Sequence, residues 1–179
     1  MHADDVVGET RREIRALVSS WMGTPAFLCD RYLTVVVSND AARALSAAFA
    51  EGVNLARFTF LEPDIDRDHF MYDAVAHQVV ALLRESVNQH RGDNMSFRGL
   101  VGDLSVLSLQ FATAWADESL SAKAGGVIEF AHTPEGPIRM AYQVLHVPNR
   151  EGDSLIVWGA TDDESSRALA RLVELPTCS

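Results

Sequence analysis

The spacing of apolar residues changes several times along the chain, and each change marks a new predicted element. Near the start, Ile14, Leu17, Val18 and Trp21 recur at the spacing of one helix face, which predicts a helix over residues 9–22. Two short, apolar and β-branched segments follow, and the polar pair of residues between them indicates a strand hairpin. By the same criteria the predicted elements are, in order, helix 9–22, strands 26–29 and 32–37, helices 40–49, 54–61, 66–89, 96–107 and 109–117, strands 127–133, 138–147 and 155–160, and a last helix that opens at 161–165.

The order of these elements predicts the fold class. Two strands precede a block of helices and three strands follow it, with turn sequences at 90–94, 135–137 and 149–152. Strands on both sides of a helical block favour one antiparallel sheet, and the first strand pair is too small to be stable alone. We therefore predict an α+β fold with one antiparallel five-stranded sheet, helices packed on one face and an N-terminal helix, in a single domain over residues 1–179.

Composition narrows the classes of function. The chain has 179 residues, 47% of them hydrophobic, and a formal net charge of −10. Its Lys and Arg residues form no cluster that could neutralise phosphates, which argues against direct nucleic-acid binding. Cys29 and Cys178 are far apart and form no CxxC motif, so we expect a reduced, cytoplasmic setting. The start of the chain has no signal-peptide pattern and no run is apolar enough to span a bilayer, so we expect no membrane association.

Residues that could carry chemistry are few and poorly grouped. His69 and His77 are eight residues apart on one predicted helix, whereas helical metal pairs need a spacing of three or four. Ser165 and Ser166 have no neighbouring base or glycine elbow, and no glycine-rich segment has the sequence of a phosphate-binding loop. We therefore expect no enzyme activity, no catalytic residue, no metal site and no cofactor.

Several short segments, taken together and in order, resemble one known family. They are Arg15–Trp21, Thr24–Arg31, Asn39–Leu45, Asn54–Pro63, Val80–Arg84, Leu100–Leu104, and Ser108–Phe111 with Trp115. On these segments the chain resembles the MmyB-like ligand-binding domain, a PAS-like domain that follows an Xre-type helix-turn-helix domain in many bacterial transcription regulators. The chain departs from the family at Tyr72, where a tryptophan is usual, and at Glu118, where a histidine is usual.

The resemblance implies a ligand-sensing function. A small apolar molecule, such as a long-chain fatty acid or a similar lipid-like compound, would lie between the inner face of the sheet and the helices. The candidate ligand-binding residues are Phe27, Cys29, Arg57, Phe58, Phe111, Trp115, Tyr142 and Val144. Arg57 could face an acidic head group, because guanidinium pairs well with carboxylate, or could equally form a structural salt bridge. We also expect a homodimer, with DNA bound only through a separate or missing helix-turn-helix domain.

Two alternatives stay open from the sequence. The aromatic candidates could simply fill the core, as aromatic side chains usually do, and the chain would then be a dimerisation module without a cavity or ligand. The chain could also be a small α+β enzyme that acts on an apolar substrate, which requires an activated polar group in the pocket. The sequence offers Tyr142, Cys29 and His146 for that role.

Overall fold

The structure, a computed structural model, describes residues 3–89, 94–148 and 152–174 of the chain. Its elements are α1 (Ala3–Ser19), β1 (Ala26–Cys29), β2 (Val35–Ser38), α2 (Asp40–Leu45), α3 (Leu55–Leu61), α4 (Tyr72–Gln89), α5 (Asn94–Leu107), α6 (Leu109–Ala116), β3 (Gly125–Thr133), β4 (Gly136–His146), β5 (Ser154–Ala160) and α7 (Asp163–Glu174). A 3₁₀ turn, Ala47–Phe49, replaces the end of the helix predicted at 40–49, because the Ser46 side chain caps it. The turns predicted at 90–94 and 149–152 lie almost entirely outside the described residues.

The strands form one antiparallel sheet in the order β2-β1-β5-β4-β3. β4 pairs with β5 from Met140 opposite Ala160 to His146 opposite Ser154, and β3 pairs with the other edge of β4. β1 and β5, which come from opposite ends of the chain, are neighbours in the sheet. The predicted α+β class, with one five-stranded antiparallel sheet and a PAS-like order of elements, is therefore confirmed.

Alternation along β4 shows which face of the sheet the helices cover. Ile138, Met140, Tyr142 and Val144 are buried, whereas Gln143 between two of them is exposed. The buried residues form one core cluster with side chains of α2 to α7. This arrangement matches the predicted packing of helices on one face of the sheet, since side chains alternate between faces along a strand.

The N-terminal helix packs against the other side of the sheet. Leu28 on β1 lies opposite Val37 on β2, and both side chains are buried outside the main core cluster. α1 contacts β2 and buries Val18, while the Arg15 guanidinium donates a hydrogen bond to the Val36 carbonyl oxygen at 3.1 Å. α1 is therefore packed against the sheet along its C-terminal half.

One buried side-chain amide joins α1, β1 and α2. The Asn39 Oδ1 accepts hydrogen bonds from the backbone N–H groups of Ala26 at 3.1 Å and Ala42 at 2.9 Å, and so caps α2. Its Nδ2 donates to three carbonyl oxygens at the end of α1 and in the following connection, those of Val18, Trp21 and Thr24. Asn39 therefore fixes the path of the chain from the entry helix into the sheet.

β2 begins three residues later than predicted, at Val35, because a tight turn precedes it. The Asp30 Oδ1 accepts hydrogen bonds from the backbone N–H groups of Tyr32 and Thr34, both at 2.9 Å. Leu33 in this turn has a positive φ of 65°, a conformation that is uncommon for a residue with a side chain. The side chain of Asp30 therefore holds a turn where the apolar sequence indicated a strand.

The long helix α4 begins at Tyr72 and not at residue 66 as predicted. In the preceding segment, the Asp66 Oδ1 accepts a hydrogen bond from the Asp68 N–H, and the His69 Nδ1 accepts one from the Met71 N–H. Such local side-chain bonds compete with the regular hydrogen bonds of a helix. Residues 62–71 (the 62–71 segment) consequently run as an irregular connection alongside the sheet.

Candidate ligand cavity

A cavity of about 270 Å³ lies between the inner face of the sheet and the helices. Its walls come from β1, β3, β4 and β5 on one side, and from the 3₁₀ turn, the 62–71 segment, α3 and α4 on the other. Most of its lining is apolar, and these side chains are Phe27, Ala48, Phe49, Leu55, Phe58, Ile65, Met71, Val75, Val79, Leu82, Ile128, Phe130, Ala131, Val144 and Ile156. We refer to this space as the main cavity.

Aromatic rings form much of the wall on the sheet side. The centroid of the Trp158 ring lies 5.4 Å from that of Phe49, 5.3 Å from that of Phe130 and 5.2 Å from that of Tyr142. The Phe49 ring also stacks on Phe27, with 4.5 Å between centroids. Contacts of this kind stabilise aromatic pairs beyond the area that they bury. The rings therefore hold one another in place along the wall.

The indole of Trp158 carries a hydrogen-bond donor with no acceptor in the described part of the chain. The Nε1 atom is buried, and the residue, which lines the main cavity, is only 5% exposed. A buried donor without a partner costs roughly 1–3 kcal/mol. The packing of the aromatic wall therefore encloses a donor to which no described residue provides an acceptor.

Tyr142 lies beside Trp158 because the two residues are directly opposite each other in the β4–β5 pairing. Its ring also packs over Gly126 on β3, where a Cβ atom would lie only 3.0 Å from a ring carbon. Glycine therefore permits this close approach of side chain to backbone. Burial raises the pKa of the Tyr142 phenol, so its hydroxyl is protonated and can donate or accept a hydrogen bond.

Four polar side chains of the lining face one another across the 62–71 segment and β3, and we call Asp66, His69, Glu129 and His132 the polar rim. The His69 Nε2 lies 4.0 Å from the Glu129 Oε1, and the His132 Nε2 lies 3.5 Å from the Asp66 Oδ2. The second pair is more exposed to solvent than the first. Among the described lining residues there is no Lys and no Arg. The fixed charges of the rim are therefore negative.

A second cavity, of about 180 Å³, adjoins the main cavity, because Leu55, Leu82, Val144 and Ile156 line both. Its wall includes Cys29, whose thiol donates a hydrogen bond to the Ser154 carbonyl oxygen at 3.7 Å. Burial, assisted by two neighbouring carboxylates, raises the pKa of the Cys29 thiol. The thiol therefore stays protonated and is not an activated nucleophile.

The second cavity also contains the carboxylate that anchors α1. Asp153 is buried, and its two oxygens accept hydrogen bonds from Arg11: Nε donates to Oδ2 at 2.8 Å and a terminal nitrogen donates to Oδ1 at 2.7 Å. Paired bonds of this kind between guanidinium and carboxylate are strong and specific in geometry. The middle of α1 is thereby tied to the residue that directly precedes β5.

Half of the predicted ligand-binding residues line the main cavity. These are Phe27, Phe58, Tyr142 and Val144. Cys29 lines the second cavity but not the main one. Contact of any of these side chains with a ligand stays a prediction.

The other three candidates lie in neither cavity. Phe111 is fully buried between the rings of Phe60 and Trp115, with centroid distances of 5.1 and 5.6 Å. Arg57 donates a hydrogen bond to the Asp103 Oδ2 at 2.6 Å, and both side chains are about half exposed. Arg57 therefore forms a salt bridge, which is one of the two roles predicted for it.

Four aromatic residues of the cavity wall, Phe49, Tyr72, Phe130 and Trp158, were not among the predicted ligand-binding residues. The apolar run of residues 155–158 has no alternation with polar positions, so its sequence does not show which side chains face the helices. The pairing with β4 decides this, because Trp158 takes the same face as Tyr142. The register between β4 and β5, and not the sequence of β5 alone, therefore shows that Trp158 faces the helices.

The chain matches the family model of the MmyB-like transcription regulator ligand binding domain over residues 10–172. The chain belongs to this family. The resemblance noted from short segments is thus confirmed, and the MmyB-like domain is the ligand-binding part of a family of transcription regulators. Among solved structures, the MmyB-like domain is similar to the PAS domain of BvgS from Bordetella pertussis, with 14% sequence identity, coverage of 93% of this chain and 98% of that chain, and a TM-score of 0.34. No curated protein matches the chain.

In the described residues of the MmyB-like domain, no helix combines the length and the apolar character that crossing a membrane requires. In the same ranges no group of three or more His, Cys, Asp or Glu side chains is placed to hold a metal ion.

Proposed function

We propose that this MmyB-like domain is a sensor that binds a small apolar molecule in the main cavity. The observation that carries the proposal is an apolar cavity of about 270 Å³ between the inner face of the sheet and the helices. Small-molecule sites in proteins are mostly apolar, with a few polar groups that orient the ligand. Membership of a ligand-binding family supports the same function.

The lining supports a ligand with a hydrocarbon chain, and fatty-acid-like compounds are the class that the family resemblance implies. The volume of about 270 Å³ is slightly below the range of roughly 300–1,000 Å³ that is common for small-molecule sites. Each buried methylene would contribute about 0.8 kcal/mol to binding.

The wall shared by the two cavities offers a route from ligand to α1. Val144 and Ile156 line both cavities, and the second cavity contains the Asp153 carboxylate that binds Arg11. A ligand that displaces the shared side chains would change the packing around Asp153, and α1 would move with it. Such a response requires a ligand that binds the two arrangements with different affinity.

The output of the sensor would reach DNA through another domain. A net charge of −10 disfavours contact of this chain with the phosphates of a duplex. The proposal therefore includes a helix-turn-helix domain that binds the DNA, and a homodimer in which the movement of α1 changes the spacing of two such domains.

Native mass spectrometry on the protein as purified, repeated after denaturation and organic extraction, tests the proposal. We expect an added mass of a few hundred daltons that extracts as a lipid-like molecule. The extracted protein should then gain thermal stability with members of a panel of medium-chain acids, amides and alcohols, because a ligand that binds only the folded state stabilises it. A clean protein mass together with no thermal shift across the panel would contradict the proposal.

A pair of variants on β3 locates the binding site. Ile128 lines the main cavity, so Ile128→Trp should fill part of the space and abolish the ligand-dependent thermal shift. Val127, the preceding residue, is 43% exposed and does not line the cavity, so Val127→Trp should keep the shift. Equal shifts in the two variants would place the ligand elsewhere.

The two alternatives gain no support from the geometry. A dimerisation module with a filled core predicts no cavity, whereas a cavity of about 270 Å³ is present. An enzyme needs an activated group in the main cavity, yet burial raises the pKa of both the Tyr142 phenol and the Cys29 thiol, and His146 lines only the second cavity. Both groups are therefore held in the protonated form, which is the weaker base or nucleophile.

A further inference from the structure

The 62–71 segment is a single layer of chain between the main cavity and solvent. Every second residue from 64 to 70 is exposed, whereas Ile65, His69 and Met71 line the cavity. In the described part of the chain, the hydrogen bonds of this segment end within it or in the adjoining helices α3 and α4. A surface segment with so few contacts to other elements opens more easily than the core around it.

The mouth of the main cavity lies between this segment and β3. Asp66 on the segment and His132 on β3 both line the cavity, and their side chains are 46% and 77% exposed. The pair of His69 and Glu129 is more buried, with side chains that are 19% and 26% exposed. The cavity therefore reaches solvent at the polar rim, where each pair places a histidine and a carboxylate on opposite sides of the opening.

Both pairs are longer than a hydrogen bond between charged groups. The nitrogen–oxygen distance is 4.0 Å from His69 to Glu129 and 3.5 Å from His132 to Asp66, whereas a charge-assisted N–H···O bond measures about 2.7–2.9 Å. Histidine normally gains a proton between about pH 8 and about pH 5, whereas aspartate and glutamate normally stay ionised there. Protonation would therefore turn both contacts into ion pairs that draw the segment toward β3.

His69 also makes a hydrogen bond within the segment, and protonation would weaken it. Its Nδ1 accepts a hydrogen bond from the Met71 N–H at 3.2 Å, which places the proton of the neutral ring on Nε2. A protonated ring carries a hydrogen on both nitrogens, so Nδ1 no longer accepts that bond and Nε2 donates as part of a cation. Protonation therefore exchanges a bond inside the segment for a stronger one to Glu129 on β3.

The two histidines account for the change of charge at the mouth. The other charged or titratable side chains on the surrounding elements are Asp66, Arg67 and Asp68 of the segment, Tyr72 and Asp73 of α4, Glu129 of β3, Glu135 of the following hairpin and Arg139 of β4. Arg67 binds the carbonyl oxygens of Phe60 and Glu62, and Glu135 binds Arg171. Arg139 lies opposite Glu129 in the strand pairing, and arginine keeps its charge throughout this pH range.

We propose that the 62–71 segment is a lid over the main cavity, and that protonation of His69 and His132 closes it against β3. The closed lid holds the protonated rings more tightly than the open one, so a falling pH favours closing and a rising pH favours opening. A bound apolar molecule is then released slowly at low pH and quickly at high pH. This consequence for a ligand rests on the proposed function, whereas the movement of the lid requires no ligand.

Hydrogen–deuterium exchange of the ligand-free full chain tests the lid itself. The measurement compares wild type with the double variant His69→Gln and His132→Gln, whose new side chains stay uncharged, at about pH 5.5 and at about pH 8. The ratio of variant to wild-type exchange rates over residues 62–71 should be at least about fivefold larger at the lower pH, from two partly exposed ion pairs. A purely structural effect of the substitutions would raise the ratio equally at both pH values and would overturn the proposal.

Release of a bound dye tests the consequence for a ligand. N-Phenyl-1-naphthylamine stays uncharged at both pH values and fluoresces strongly only in apolar surroundings. The delipidated full chain is loaded with this dye and mixed with excess 1-decanol, and the loss of fluorescence gives the release rate. Release should be at least about fivefold slower at the lower pH. Release that is equally fast at both pH values, or faster at the lower one, would contradict the closing of the lid.

Glu129→Gln and His77→Gln separate the polar rim from the rest of the protein. Glu129→Gln keeps the size of the side chain and removes the charge that faces His69, so the ratio of the two release rates should fall by about half or more. His77→Gln is the matched control, because His77 is exposed on α4, interacts with Asp117 and does not line the main cavity. The control should keep the wild-type ratio. An unchanged ratio in Glu129→Gln would overturn the role of the rim.

The lid and the proposed function fail in different ways. If exchange over residues 62–71 depends on the two histidines as expected, but the dye does not bind and no ligand co-purifies, the lid stands and the proposed function fails. If the dye binds and neither its release nor the exchange ratio depends on pH, the apolar sensor stands and the lid is overturned.

Discussion

Both ends of the Asn39 amide bind backbone groups, and these groups belong to different elements. The acceptor end could be predicted from the sequence, because its partner in α2 is only three residues away and the position is a helix cap. The donor end could not be predicted, since its partners lie up to 21 residues away and meet it only when α1 packs against the sheet. Hydrogen bonds between residues close in sequence can therefore be predicted from the sequence, whereas hydrogen bonds that join separate elements cannot.

Asn39→Asp should destabilise the fold by about 3 kcal/mol or more. Aspartate keeps the acceptor but loses the donors, so a buried negative charge would face the carbonyl oxygens that Nδ2 now binds. The free energy of unfolding in urea measures the loss.

Asn54→Asp provides the matched control, because Asn54 also caps a helix and donates only to the Tyr32 carbonyl and the Thr34 hydroxyl. Asn54 is half-buried, so its loss should be about 1–2 kcal/mol, the net contribution of two partly exposed hydrogen bonds. Equal losses at the two positions would remove the special role assigned to Asn39.

At the scale of elements, α1 is attached to the sheet by two ion pairs of different character. Arg11 binds the buried carboxylate of Asp153, whereas Arg15 binds Glu51 at the surface. Arg11→Met should lower the free energy of unfolding by about 2–3 kcal/mol, because it leaves a buried charge without its partner. Urea denaturation of the variant and of wild type measures the difference.

Arg15→Met on the same helix is the control and should cost less than about 1 kcal/mol, as exposed ion pairs do. Its cost should also depend on pH. Arg15 lowers the pKa of Glu51, so the pair contributes stability above the ordinary pKa of a glutamate, and that contribution is lost as the pH falls through the lowered pKa. If Arg11→Met proves no more destabilising than Arg15→Met, the buried pair does not anchor the helix.

Element types were easier to predict than element boundaries. Hydrophobic spacing predicted the helices and strands, because periodicity follows from which face an element buries. The boundaries at β2 and α4 were wrong because Asp30, Asp66 and His69 bind nearby backbone N–H groups and so form turns within apolar or helical sequence. Such hydrogen bonds between side chains and backbone depend on local conformation, which the spacing of apolar residues does not indicate.

At the scale of the whole molecule, the candidate site could be predicted in part. Its position between sheet and helices followed from the family resemblance, and four of the eight predicted side chains line the main cavity. Trp158 and Phe130 were missed, because they reach the cavity through pairing between strands. Phe111 fills space between helices and lines neither cavity, since an aromatic residue on a buried helix face has the same pattern whether it borders a cavity or a packed core.

Ligand binding should alter both the cavity wall and α1. Hydrogen–deuterium exchange on ligand-free protein, and on protein saturated with a compound of the panel that stabilises it, should show slower exchange in β4 and β5, with a second change in α1, because Asp153 connects the start of β5 to Arg11. In Asp153→Asn, which keeps the size of the side chain and removes its charge, the change in the strands should remain and the change in α1 should be lost. An α1 response that persists in this variant would rule out the proposed route.

The positions of Val18 and Arg11 along α1 determine how far the start of the helix would move when Arg11 moves. The helix has 17 residues and is about 25 Å long at about 1.5 Å per residue. Val18 is fully buried near one end, and Arg11 lies seven residues before it, about 10 Å along the axis, whereas Ala3 lies about 22 Å away. If Val18 acts as the pivot, a displacement of about 1 Å at Arg11 becomes about 2 Å at the first turn. With that pivot, α1 would roughly double at its first turn a displacement that Asp153 imposes on Arg11.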